Sequence, residues 1–249
     1  LATTVAKRKV VTSQVKGSKF YSQQWDDAEI ALGSGAATLL WGPPGTGKSW
    51  AARLIGSARQ SFSITLTPDT PAAELRGHYI VGASGTFEWH DGPATAAWRA
   101  GCRLSVDEIG EATGDALTHL YTVADDPDVA QLTLPNRETV RPKKGFQMVA
   151  TTNQEPTVLP PALADRFLIF EITEPHPNAV LSLPEAWQEV AWNTTRIEDP
   201  RRKLSIRRFH QAVRLYKYTG DLERSLKLTF GTKGEALLDS IRVTGKALS

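Results

Sequence analysis

Three short stretches carry residue types whose spacing suits phosphate chemistry. The first is Gly42-Pro43-Pro44-Gly45-Thr46-Gly47-Lys48-Ser49. A phosphate chain needs several N–H donors aimed at one point, and a glycine loop supplies them because no Cβ blocks the approach of the backbone. Lys48 can reach the outer phosphates as a flexible point charge, the Ser49 hydroxyl can ligate Mg²⁺, and Trp50 follows the loop as a nucleotide contact. The second stretch, Cys102-Arg103-Leu104-Ser105-Val106-Asp107-Glu108, reads as a strand ending in two carboxylates. Downstream of a phosphate loop that end is the place for a Mg²⁺-holding acid, here Asp107 acting through the ion's water shell. Glu108 would orient or deprotonate the attacking water. The third, Phe146 to Asn153, is an apolar run with a polar end, and Asn153 could touch a γ-phosphate or a water.

These groups act together only if the intervening elements bring them to one edge. Ala36 to Trp41 is an apolar run before the loop, and Ala51, Leu54, Ile55 and Ala58 share a helical face after it. Strand, glycine loop and helix in that order are the context a phosphate loop requires. Phe62, Ile64 and Leu66 alternate with polar residues as a strand does, and two strands separated by a helix imply a right-handed parallel crossover. Phe167 to Ile172 brings the count to five strands alternating with helices, an α/β architecture. Two hairpins interrupt it: one carries Tyr79, Phe87 and Trp89, and a smaller one lies around Asn136. Helices are expected at Trp25–Leu32, before the first strand, and at Pro93–Ala100, with Trp98 inward; another carries Leu117, Leu120, Tyr121 and Ala124.

Beyond Thr173 the strand signal stops. Pro175-His176-Pro177 reads as a linker, Ser182 with Glu185 as a capping box ahead of Leu183, Ala186, Trp187 and Val190, and Ser205 as the cap of a helix ending at Gly220. Two further helices are expected at Leu222–Leu228 and Glu235–Thr244. The expected division is a basic arm at 1–20, a nucleotide-binding core at 21–175 with two hairpin inserts, and a helical lid at 176–249.

The 249 residues suffice for a full core, and the net charge of +2 exerts no global pull toward nucleic acid or anionic membrane. No segment has the ~20 consecutive apolar residues of a membrane span, the first residues lack an apolar leader core, and a single cysteine, Cys102, excludes an internal disulfide. Together these lead to the expectation of a cytoplasmic protein with no membrane partner. Two basic clusters, Arg137 with Arg141, Lys143 and Lys144, and Arg201 to Lys203 with Arg207 and Arg208, keep nucleic acid as a less favoured partner.

From Trp25 to the end the chain resembles AAA+ ATPases of the MoxR-like, dynein-related group. Gly42–Ser49 is similar to the family's Walker A, Asp107-Glu108 to the end of Walker B, and Ala150-Thr151-Thr152-Asn153 to sensor one. Leu163-Ala164-Asp165-Arg166-Phe167 is similar to the segment bearing the arginine finger, here Arg166, and Ser205-Ile206-Arg207 to the sensor-two turn, with Arg207 the candidate and Arg208 the fallback. The hairpins match the family's helix-two and pre-sensor inserts. The resemblance implies a P-loop parallel five-stranded sheet with a small C-terminal helical lid, ATP with Mg²⁺, and a ring, usually of six subunits. It also implies inserts facing a pore or partner through Tyr79, Phe87 and Trp89, and a client or adaptor protein, in some members of von Willebrand A type. ATP rather than GTP follows mainly from the resemblance. Two rivals differ in class: a nucleic-acid motor or restriction-type NTPase, betrayed by salt-sensitive DNA stimulation, and a nucleotide-dependent scaffold that does not turn over.

Overall fold

The computed structural model describes residues 19–55, 61–199 and 202–244. Ala58 of the expected helix face, Arg201 of the second basic cluster and all but Lys19 and Phe20 of the expected arm lie outside these residues. Helix α1 (Gln23–Ser34) ends at Gly35 in the left-handed conformation and feeds β1 (Thr38–Trp41). The glycine loop then leads into α2 (Lys48–Leu54), β2 (Ser61–Thr65) and the short α3 (Ala72–Arg76). An antiparallel hairpin of β3 (Gly77–Val81) and β4 (Phe87–Asp91) precedes α4 (Pro93–Ala100) and β5 (Arg103–Asp107). After α5 (Gly114–Val123), a small hairpin of β6 (Leu132–Thr133) and β7 (Thr139–Val140) leads to β8 (Gln147–Thr152), α6 (Pro161–Ala164) and β9 (Leu168–Glu171).

Five of the strands form one parallel sheet in the order β2-β5-β8-β1-β9. This order makes the site. With β8 between β5 and β1, the carboxyl ends that carry Glu108, Asn153 and the glycine loop are neighbours, the crevice where open α/β sheets bind ligands. One face of the sheet packs Leu104, Val106, Met148 and Ala150 against α4 and α5, with Trp98 edge-on to Phe146 at 6.0 Å. The opposite face packs Leu40 and Ala51 against Trp25 and Ala28 of α1. Truncating a fully buried tryptophan such as Trp98 to alanine costs about 3–5 kcal/mol.

Strand β5 holds a buried arginine in place of the usual apolar residue. Arg103 donates to Gln147 Oε1 and to the Ala52 and Ile55 carbonyls at the end of α2, and burial lowers its pKa to about 10. A cation at a helix C-terminus is favoured by the helix dipole, so Arg103 anchors the helix that carries Lys48. Leu54, expected inward, is 59% exposed because the face of α2 turned to the sheet is that of Lys48, Ala51 and Ala52.

The C-terminal lid consists of α7 (Pro177–Leu181), α8 (Glu185–Thr195), α9 (Ile206–Thr219), α10 (Leu222–Phe230) and α11 (Gly234–Val243). Its separate core is built from Trp187, Phe209, Leu226 and Ile241, and Phe20 joins it against Trp192. The expected linker is in part a helix, since Pro177 occupies the first turn of α7, where a missing N–H costs nothing. At the expected capping box the residue directly before α8 is Pro184 rather than Ser182. Pro184, in extended conformation, precedes α8, and Ser182 Oγ donates to Ala179 O as α7 ends, leaving Leu183 between the helices.

Candidate nucleotide site

Loop, sheet end and lid enclose a cavity of about 520 Å³ whose walls include Gly45, Gly47, Lys48, Ser49, Trp50, Glu108, Thr151 and Asn153 from the core. Ala179, Ser182, Ile206, Arg207 and His210 come from the lid. The loop needs its glycines at two points of close approach. A Cβ on Gly42, at φ 131°, would stand 2.5 Å from the Ile172 carbonyl oxygen, and one on Gly45, at φ 83°, would stand 2.1 Å from Ser205 Oγ. Gly45 is therefore where the lid touches the loop, and the Ile206 N–H donates to the Gly45 carbonyl at 3.2 Å. Pro44 also lines the cavity, and Thr46 is buried with its hydroxyl 3.3 Å from Pro43 O.

Lys48 is buried. Its ammonium donates to the carbonyls of Gly42 and Pro43 at 2.8 Å and to Asn153 Oδ1 at 3.1 Å. Asn153 in turn donates from Nδ2 to Glu108 Oε1 at 2.8 Å. One amide thus ties the loop cation to the carboxylate, across residues that the sheet order alone makes neighbours. Burial lowers the Lys48 pKa to about 8; the Glu108 charge opposes the shift, and Arg207 and Lys203 add to it. Glu108 itself is held in the left-handed region, at φ 57° and ψ 46°. For a residue with a Cβ this costs on the order of 1–3 kcal/mol, the kind of strain found where a side chain is aimed for a purpose.

The lid side is set by α9. Ser205 caps this helix by accepting the Arg207 N–H at 3.2 Å, and the first turn brings Arg207, but not Arg208, to the cavity wall. His210, one turn on, approaches the Ala179 carbonyl at 3.0 Å, and burial holds its pKa below the ordinary value. Trp50 lies edge-on to the His176 ring at 5.1 Å. His176 is fully buried. It meets Glu29 of α1 at 3.0 Å, accepts the Asn178 N–H that opens α7, and donates its own N–H to Thr46 O.

Two expected residues stand elsewhere. Asp107 is outside the cavity wall, with Thr151 donating to Oδ1 at 2.8 Å and Arg53 paired with Oδ2. Arg166 lies at a second cavity, over the Tyr121 ring at 5.6 Å and 3.8 Å from Asp125, with its guanidinium on Ala162 O. The hairpin residues Tyr79, Phe87 and Trp89 do not line the cavity. Tyr79 and Phe87 are 45% and 74% exposed, and Trp89, partly buried, stands edge-on to Tyr79 at 5.4 Å with its indole N–H on Asp91. Arg99 joins the two inserts by pairing with Asp91 of the first and Glu138 of the second.

Sequence reasoning missed Arg53, Thr151, His176 and His210. Arg53 and Thr151 had a signal in sequence, one a turn after Ser49 and the other beside Asn153. His176 sits between two prolines that suggested a linker, and His210 is one helical turn after the expected Arg207.

The AAA domain of the dynein-related subfamily matches residues 37–167, more than half of the chain. The chain is similar to Protein NorQ of Paracoccus denitrificans, 32% identical over 170 residues, which are 64% of this chain and 61% of that protein. It is also similar to the denitrification regulatory protein NirQ of Pseudomonas aeruginosa, 32% identical over 139 residues (54% and 53% of the two chains). The uncharacterized protein YojN of Bacillus subtilis is 33% identical over 155 residues, covering 59% of this chain and 50% of that protein. The matches thus span between 50% and 61% of these relatives' lengths. With the parallel sheet and the loop–sheet–lid cavity in place, the chain belongs to the AAA+ ATPases, in their dynein-related, MoxR-like group.

Proposed function

We propose that this chain binds ATP with Mg²⁺ in the loop–lid cavity, hydrolyses it, and uses the lid movement to remodel or activate a partner protein from within a ring. The observation that carries the reading is the chain Lys48–Asn153–Glu108, which puts a phosphate-binding cation and a carboxylate on one amide inside that cavity.

The residues fit Mg²⁺. Ser49 brings a hydroxyl to the wall, and Asp107 is a buried carboxylate at the end of β5, two strands from β1. The ion, held by Ser49 and through water by Asp107, would neutralise charge on the outer phosphates. Gly45 and Gly47, both on the cavity wall, would turn backbone N–H groups to the phosphate chain, and Lys48 exchanges its present acceptors for phosphate oxygens. Glu108 accepts the proton of the attacking water, and Asn153 fixes the distance between that base and Lys48. Arg207, on the first turn of α9, is the lid group that can sense phosphate charge, so its loss of contact after hydrolysis frees the lid.

Arg166 supports a shared site. Its place away from the Lys48 cavity gives it no phosphate within one subunit, whereas across a boundary between copies it could meet the neighbour's. The exposed aromatic residues Tyr79 and Phe87, with Trp89 behind them, are the contact for a client or adaptor. NirQ is by name a denitrification regulatory protein, and an analogous regulatory role toward a client is the reading for this chain.

The test is Glu108→Gln, which should bind ATP as the wild type does and lose about 10²–10⁴ of its turnover, the usual worth of general-base catalysis. Equal loss of binding would make Glu108 structural and remove the proposed base.

A further inference from the structure

Arg53 stands five residues after Lys48 and four after Ser49. Residues four apart on a helix lie on the same face, so the Ser49 hydroxyl and the Arg53 guanidinium point to one region. There Arg53 Nη2 donates to Asp107 Oδ2, while Thr151 Oγ1 holds Oδ1 at 2.8 Å. Each oxygen of the carboxylate thus has a partner, the outer one a cation. The Asp107 side chain is only 7% exposed and that of Arg53 45%, so the pair is a buried acid covered by a half-exposed cation. Consistent with that cover, Ser49, Glu108 and Thr151 reach the cavity wall and Asp107 does not.

We propose that Arg53 is the resident counter-ion of Asp107 in the nucleotide-free site and competes with Mg²⁺ for it, so that Arg53 sets the Mg²⁺ concentration at which nucleotide is held. The claim rests on the ATP–Mg²⁺ reading above and adds to it a residue with an assigned task. A hydrated divalent cation held between Ser49 and Asp107 would stand beside the guanidinium, where one carboxylate charge would be shared by two mutually repelling cations. Mg²⁺ would therefore bind more readily as Arg53 swings out, which its half-exposed side chain permits. The guanidinium also protects the buried carboxylate from standing uncompensated between turnovers. A charge-assisted contact discounted for the exposure of Arg53 is equivalent to about a fivefold to tenfold shift in an equilibrium.

The experiment measures equilibrium binding of a fluorescent, non-hydrolysable ATP analogue to the full chain as Mg²⁺ is titrated. Mn²⁺ occupancy is counted in parallel by electron paramagnetic resonance. Arg53→Met should lower the half-saturating Mg²⁺ about fivefold to tenfold while leaving metal-free nucleotide affinity within about twofold. Arg53→Lys, which keeps the charge and covers the case of a poorly folding methionine variant, should fall between wild type and Arg53→Met. In an Asp107→Asn background Arg53→Met should produce no shift. An unmoved or raised Mg²⁺ midpoint overturns the proposal, as does an equal shift in the Asp107→Asn background. Weaker metal-free binding in Arg53→Met would instead make Arg53 a phosphate ligand and likewise overturn it. If the wild type binds no nucleotide, the ATP reading fails and this claim falls with it; intact binding with an unmoved midpoint defeats the claim for Arg53 alone.

Discussion

Raising the pH from 7 to 9 should weaken nucleotide binding by about tenfold through Lys48 alone. The ammonium is buried among two carbonyls and an amide oxygen, with no carboxylate in contact, and burial brings its pKa from the ordinary 10.5 to about 8. Phosphate binds the charged form. At pH 7 about nine-tenths of the free chain carries that charge and at pH 9 about one-tenth, so affinity falls by about 1.4 kcal/mol across the window. Stability of the nucleotide-free chain runs the other way. A lysine whose folded pKa lies below its unfolded one opposes folding while charged, and that opposition is relieved as pH rises from about 8 toward 10.5, by about 3 kcal/mol in all. Calorimetry with a non-hydrolysable ATP analogue and saturating Mg²⁺, in buffers of different ionisation enthalpy, reads both affinity and proton uptake. Uptake should reach about half a proton per nucleotide at pH 8. His210 titrates below this window because burial lowers it, and Lys203→Gln should keep the slope while moving the midpoint slightly up. Equal affinities at pH 7 and 9, with no proton taken up at pH 8, would refute the reasoning.

Arg166→Ala should retain ATP binding and lose on the order of 10³ in turnover, and mixing it with Lys48→Ala should restore activity in assemblies shown by mass to have exchanged subunits. No rescue in such mixtures counts against a site shared between copies. Alanine at Tyr79, Phe87 or Trp89 should leave basal ATP turnover intact and abolish its coupling to the client. For the 74% exposed Phe87 the change in stability should stay within about 0.5 kcal/mol by thermal unfolding, and a cooperative loss of fold would make the hairpin a packing element. Gly45→Ala would place a Cβ 2.1 Å from Ser205 Oγ on a backbone at φ 83°, so the lid must lift off the loop. Nucleotide affinity should fall by more than about tenfold, or about 1.4 kcal/mol, and an unchanged dissociation constant would show that the lid contact is dispensable.

What was legible in the chain was local. The glycine loop, the acidic end of β5, the polar end of β8 and the Ser205 cap each declare themselves within a few residues, because strand period, turn chemistry and capping are short-range physics. Pairings between distant residues were not legible. Arg53 meets Asp107, Asn153 meets Lys48, and His176 meets Glu29 only after the parallel order of the sheet and the return of the lid bring them together. Proline punctuates helices as well as linkers: Pro177 lies in the first turn of α7, and Pro184 directly precedes α8. The apolar run of β9 could not disclose that it is an edge strand, with Leu168 48% exposed and Ile169 40% exposed, since strand order is a property of the whole sheet.

The central claim is that a phosphate chain sits on the loop against Lys48. Calorimetric titration of ATP with Mg²⁺ into wild type and Lys48→Ala tests it most directly, because the substitution removes the one buried cation of the cavity wall among the described residues. The account predicts saturable binding by the wild type and none, or binding weakened by at least about a hundredfold (about 2.7 kcal/mol), by Lys48→Ala in a chain that still unfolds cooperatively. Near-normal affinity in that variant would contradict it.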